Sequence, residues 1–210
     1  VETTAKLYFM FLATIGGGFA YNAVVGDGPL PPMKQMDGND AAWRQRLNAR
    51  LPYTQQFGAP SDEQHWTNLQ PALAIVDEVS PEIGQWVRQQ RDSGKLSFSI
   101  PDRTLEEALA AYDPLNKSLH IAPAFWQLRI GDQAAVLVHE FRHSRQNMPK
   151  SVAIRLTQLI TGDILHYPSQ IEDEAYDYQL DFYRAIGLRP DEIEFYLTER
   201  NLNHIHGHRH

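Results

Sequence analysis

DQAAVLVHEFRHSRQN, residues 132–147, is the stretch that decides how this chain reads. Its centre, AAVLVHEFRH, is strongly apolar, and no proline or glycine interrupts it, so its pattern is helical. His139 and His143 stand four residues apart, one turn above each other on a single helix face. Two imidazoles so placed can grip one metal ion from one side. Glu140, next to the first of them, can reach a water at that metal without being a ligand itself. Such a metal lowers the pKa of water toward ~7 and polarises a carbonyl, while the carboxylate carries the proton. A charged Glu between two His in so apolar a helix is costly unless a metal or a wet cleft accompanies it. The plain alternative is a pair of surface histidines on an amphipathic helix.

Zinc in a catalytic site takes a third protein ligand and keeps a fourth position open. The acidic run Ile171-Glu172-Asp173-Glu174-Ala175-Tyr176 opens a later helix that could lie against the first. Glu172 and Glu174, two apart, face different sides, so only one of them can point at the metal. Acids at a helix start also suit the helix dipole without any ligand role. Nitrogen and oxygen donors at these spacings favour zinc among divalent ions.

Around this pair the chain reads as α+β and mostly helical. Asn39 or Asp40 caps a helix that Pro52 stops, and residues 53–67 read as loop. Residues 68–91 place Leu69, Leu73, Val76, Val79, Ile83, Trp86 and Val87 at helical spacing, with a break at Ser80-Pro81 and an end at Ser93-Gly94. LSFSI, residues 96–100, alternates as a half-buried strand does, and residues 104–111 read as a short helix. Asp113-Pro114-Leu115-Asn116-Lys117 is turn chemistry, and a strand follows at 118–122. Helices are expected over about 150–164, from near Pro168 to Ile186 with Gly187 as stop, and after Pro190.

The resemblance rests on His139-Glu140-x-x-His143 followed by Glu172-x-x-Ala175, which is similar to the gluzincin arrangement of zinc metallopeptidases. The short chain, the run from Tyr112-Asp113-Pro114 to Ile121, and the H-E-x-R-H-x-x-Q form over His139 to Gln146 look like the small members called minigluzincins. The resemblance covers roughly residues 68–187. It implies a zincin-like domain with a small sheet and an active-site helix, zinc held by His139, His143 and Glu172, and Glu140 as general base. It implies that the strand 118–122 is an edge strand along which a peptide substrate lies antiparallel. Many relatives carry Asp four residues after the third ligand, where it holds a ligand histidine. Here that position is Tyr176, whose phenol can hydrogen-bond a histidine or donate to an oxyanion. Glu174 is the substitute ligand if the helix is rotated. Arg142 reads as a solvated or structural arginine, with a salt bridge to the Glu172 helix as the other option.

Ahead of this domain, residues 7–26 carry no charge. About 20 residues at ~1.5 Å rise span ~30 Å, a bilayer's hydrocarbon thickness. Tyr8 and Tyr21 lie near the ends, and Lys6 weakly favours a cytoplasmic N-terminus with the soluble part outside, in the periplasm. Gly16, Gly17 and Gly18 would let another transmembrane helix approach closely. A single-pass anchor is expected; a buried core helix or hairpin and a signal peptide compete with it. The divisions are therefore 1–26 as transmembrane anchor, 27–67 as linker and N-terminal helix, 68–203 as the zincin-like domain, and 204–210 as a His-rich tail.

The remaining composition excludes more than it suggests. The 210 residues contain no cysteine, which removes disulfides, thiolate metal sites and cysteine nucleophiles. A formal charge of −7 disfavours nucleic acid as the partner. No Gly-rich loop follows a strand as phosphate binding requires, and no serine has a nucleophile-elbow setting. His65, His120 and His166 are isolated. The functional expectation is zinc-dependent peptide-bond hydrolysis by a membrane-anchored peptidase. Its rival is a non-catalytic accessory subunit of a membrane complex that keeps a peptidase-like fold and zinc site, and uses residues 7–26 to pack against other transmembrane subunits.

Overall fold

In the computed structural model, residues 29–51, 61–99, 109–146, 169–189 and 191–193 are described. The expected membrane segment, the helix over 150–164 and the His-rich tail fall outside them. No helix among the described residues is long and apolar enough to cross a membrane. Pro31–Ser144 with Pro168–His210 forms one compact unit, and it holds nearly all the described elements. A second unit, Val1–Leu30 with Arg145–Tyr167, lies for the most part outside the described residues.

The fold is mostly helical with one small sheet. Helix α1, Ala41–Asn48, starts where the Asp40 carboxylate accepts the Ala42 and Trp43 amides, and it buries Trp43 and Leu47 one turn apart. It stops short of Pro52. Ala49 instead accepts the Ile130 amide at 2.9 Å, and Arg50 bridges to Arg129, so the last turn is given up for backbone pairing.

Helix α2, Asp62–Val79, begins earlier than the expected start at 68. The Ser61 hydroxyl accepts the Gln64 amide at 3.2 Å, and Asp62 and Glu63 occupy the first turn, where the helix dipole favours acids. Helix α3, Pro81–Asp92, follows after the single residue Ser80. Ser80 makes no side-chain cap bond; its buried hydroxyl finds no partner among the described residues, and Pro81 marks the helix start. Leu69, Leu73, Val76, Val79, Ile83 and Val87 are all buried, as their spacing predicts.

The sheet has the order β1-β3-β2. Strand β1 is only Leu96–Ser97, parallel to β3, because the Ser97 hydroxyl accepts the Ser99 amide and turns the chain off the sheet. Strand β2, Ala110–Asp113, replaces the end of the helix expected over 104–111. It pairs antiparallel with β3, Ser118–Ile121, placing Tyr112 opposite Leu119. The Asp113 carboxylate accepts the Leu115 amide at 2.8 Å and fixes the turn between them. Strand β3 is therefore central, with neighbours on both sides, and not the edge expected at 118–122. The sheet edge that meets the motif helix belongs to β2, on whose other side no strand lies among the described residues.

After a short 3-10 helix at Pro123–Gln127 comes α4, Ile130–Arg145. Every residue from Ile130 to Arg142 is buried, so this helix is enclosed on all sides, and it carries Asp132, Gln133, His139, Glu140 and Arg142 into the core. Helix α5, Ser169–Ala185, packs beside it. The pairs Asp132–Tyr183, Arg142–Glu174 and His143–Glu172 rise along α4 and fall along α5, so the two helices are antiparallel.

Gly187 ends α5 with φ +78°, a conformation in which a Cβ is strained, and the Leu188 amide returns to the Tyr183 carbonyl at 3.1 Å. The strap 31–37 lies across two helix ends. The Lys34 amide donates to the Val79 carbonyl of α2, and the Met36 amide to the Ala185 carbonyl of α5, each at 2.8 Å. Both acceptors are carbonyls that a helix cannot satisfy internally. The Tyr178 hydroxyl donates to the Pro31 carbonyl at 3.1 Å, and the Trp43 indole to the Ile186 carbonyl at 2.9 Å.

Candidate metal centre

Helix α4 carries His139 and His143 on one face, with ring centroids 4.7 Å apart. Their Nε2 atoms converge to 3.0 Å. Glu172, in the first turn of α5, sends Oε2 to 3.4 Å from His139 Nε2 and Oε1 to 3.5 Å from His143 Nε2. The three groups form a cluster able to hold a metal ion. Bonds of ~2.0–2.1 Å to a tetrahedral zinc give ligand-to-ligand edges of ~3.3–3.4 Å. The observed separations, 3.0, 3.4 and 3.5 Å, are of that order, with Glu172 meeting His139 through Oε2 and His143 through Oε1, so the cluster is of a size that could hold a metal ion.

The electrostatics of the cluster fit as well. Burial pushes the Glu172 carboxyl up, but the neighbouring His139 and His143 imidazoles outweigh it and hold the group well below the usual carboxylate range. The acid is therefore ionised and ready to ligate. Glu174, the alternative ligand, points elsewhere: its Oε2 lies 2.8 Å from the Arg142 guanidinium. That ion pair also corrects the reading of Arg142 as solvated. Arg142 is buried in the core helix, where an arginine needs a charged partner, and Glu174 supplies it.

Glu140 is buried, at 5% exposure, and its Oε2 accepts the Tyr112 backbone amide at 2.7 Å. Tyr112 faces its amide away from β3, so this contact sits on the open edge of the sheet. No hydrogen bond from the described residues reaches the other oxygen, Oε1.

Tyr176 lies edge-on to the His139 ring, with centroids 4.7 Å apart. It does not hold that histidine by a hydrogen bond. The residue that does is Gln179, which the sequence reading did not single out. His139 Nδ1 lies 3.1 Å from Gln179 Oε1, and because an amide oxygen only accepts, the ring nitrogen is the donor. Glu172, Tyr176 and Gln179 are spaced by four and three residues, which puts them on one face of α5. That spacing was the available signal, and glutamine is too common on helix surfaces for it to stand out.

His65 and His120 stay apart from this centre, and His166 lies outside the described residues. His65 stacks between Phe98 and Trp126, with centroids 5.0 and 5.1 Å away, and burial lowers its pKa against the opposing pull of Asp62. His120 Nε2 lies 2.9 Å from the Ser118 hydroxyl on the outer face of the sheet. No family model, curated protein or solved structure matches this chain.

Proposed function

We propose that the protein is a zinc-dependent peptidase of gluzincin-like design, anchored to a membrane by residues 7–26 with its soluble part outside the cytoplasm. The convergence of two imidazole nitrogens and one ionised carboxylate at 3.0, 3.4 and 3.5 Å carries this reading. His139, His143 and Glu172 would hold the zinc, which when bound supplies a Lewis acid that polarises a carbonyl and acidifies water.

The chain's own groups supply the rest. Glu140 takes a proton from the attacking water through Oε1 and returns it to the departing amine, while Oε2 stays on the Tyr112 amide and keeps the carboxylate oriented. Tyr176, against His139, is the candidate donor to the developing oxyanion. A peptide substrate lies along the edge of β2, residues 110–113, using groups other than the Tyr112 amide that Glu140 holds, since β3 has no edge to offer.

One observation favours the accessory-subunit reading. The bond between Glu140 and the Tyr112 amide is a structural task that a non-catalytic protein would also keep. The decisive measurement is cleavage of an unfolded protein substrate by wild type and Glu140→Gln, with zinc content measured on both. Stoichiometric zinc in both and cleavage only in wild type is the expected result. Equal cleavage by both removes Glu140 as base; zinc without cleavage in wild type favours the scaffold.

A further inference from the structure

We infer that Gln179 is the positioning residue of the metal centre: its amide oxygen fixes the tautomer of His139, and its lack of charge sets how tightly the ion is held. This rests on the metal-site reading above and specifies how that site is tuned.

The argument starts from the proton on His139. A neutral imidazole carries one N–H, and the 3.1 Å contact to Gln179 Oε1 commits it to Nδ1. Nε2 then keeps its lone pair, and Nε2 is the atom that converges with His143 and Glu172. Without an acceptor at Nδ1, both tautomers are open to the ring, and one of them presents an N–H to the ion's position. Tyr176 does not take over, since it meets the ring edge-on. The side chain of Glu174 is held by Arg142.

The amide differs from a carboxylate in the same place. A carboxylate accepting Nδ1–H raises the basicity of the imidazole and strengthens its hold on a metal. Gln179 aligns the ring without adding negative charge. A divalent cation held by two neutral imidazoles and Glu172 keeps a net charge of about +1, which preserves its pull on a carbonyl oxygen at the expense of affinity. The site is thus built for a more acidic and more readily exchanged ion.

The test uses the whole chain with Zn2+ alone, competed against a chromophoric chelator at fixed pH, for wild type, Gln179→Leu and Gln179→Glu. Nitrogen-15 NMR of the metal-free protein reads the His139 tautomer separately. The expected result is a zinc affinity ~10–100-fold weaker in Gln179→Leu, with His139 no longer held as Nδ1–H, and an affinity at least several-fold tighter in Gln179→Glu. A purely structural glutamine would move thermal stability while leaving the tautomer and the order of affinities unchanged. Wild-type affinity in Gln179→Leu, or an Nε2–H His139 in the wild-type metal-free protein, overturns the inference. The tautomer measurement needs neither a folded variant nor bound zinc. Wild type that binds no zinc while His139 is Nδ1–H overturns the metal-site reading and the tuning built on it, and leaves the tautomer assignment supported.

Discussion

Glu140 Oε2 and the Tyr112 backbone amide are 2.7 Å apart and join the core helix to the open edge of the sheet. Removing the carboxylate therefore has two separable effects. Glu140→Ala strands a buried amide and is expected to cost about 1–3 kcal/mol in denaturant unfolding. Glu140→Gln keeps an acceptor for that amide and loses less stability, yet it cannot take up a proton. Its peptide hydrolysis is expected to fall by at least ~10²-fold, the contribution typical of a general base.

Glu172 and Glu174 divide the two tasks that the sequence left open between them. Glu172→Ala is expected to abolish high-affinity zinc binding. Glu174→Ala should leave zinc binding within a factor of about two while costing about 1–3 kcal/mol, because it removes a charged hydrogen bond from buried Arg142. Calorimetric zinc titration beside urea unfolding separates the variants; the reverse assignment would mean that α5 is rotated.

A metal bound only by the folded protein raises its stability in proportion to the logarithm of free ion concentration. With zinc at about 100 times its dissociation constant, wild type should gain about 2.7 kcal/mol, while His143→Ala gains almost nothing. Thermal melts with and without chelator read this directly.

Acid stability has an identifiable contributor at the other end of α5. Hydrogen bonds from Arg44 hold the Glu192 carboxyl down to about 2, from an ordinary value of 4.5. A depressed carboxylate pKa contributes stability fully above 4.5 and loses it as pH falls toward 2. Glu192→Gln should flatten unfolding free energy across that window while lowering it at neutral pH. His65 acts higher: burial lowers its pKa below 6.5, so the unfolded chain takes up the proton first and the fold weakens as pH drops through 6.5. His65→Phe should remove that step.

The parts legible in the sequence were those with a local pattern. The α4 helix, the pairing of His139 with His143, the Ser80-Pro81 break and the Gly187 stop all follow from spacing or from a single residue's chemistry. The misreadings share a non-local cause. Leu105-Glu106-Glu107-Ala108-Leu109-Ala110-Ala111 is rich in helix formers, yet Ala110 and Ala111 belong to a strand because β3 and Glu140 claim their neighbourhood. The central place of β3 depends on a parallel partner of two residues, too short to announce itself. Arg142 looked solvated because its partner lies on another helix, and Gln179 was silent because a neutral side chain acquires meaning only when a ring nitrogen faces it.

The strap over the helix ends has a mechanical side. From Pro31 to Met36 the backbone is moored to the hydroxyl of Tyr178 and the carbonyl of Ala185, on the same helix that presents Glu172 and Gln179. Gly38 sits so close to Gly187 that a methyl there would meet the Gly187 oxygen at 2.1 Å, which leaves this mooring no slack. A pull on the chain ahead of residue 31 is therefore borne first by the helix that supplies the acidic ligand.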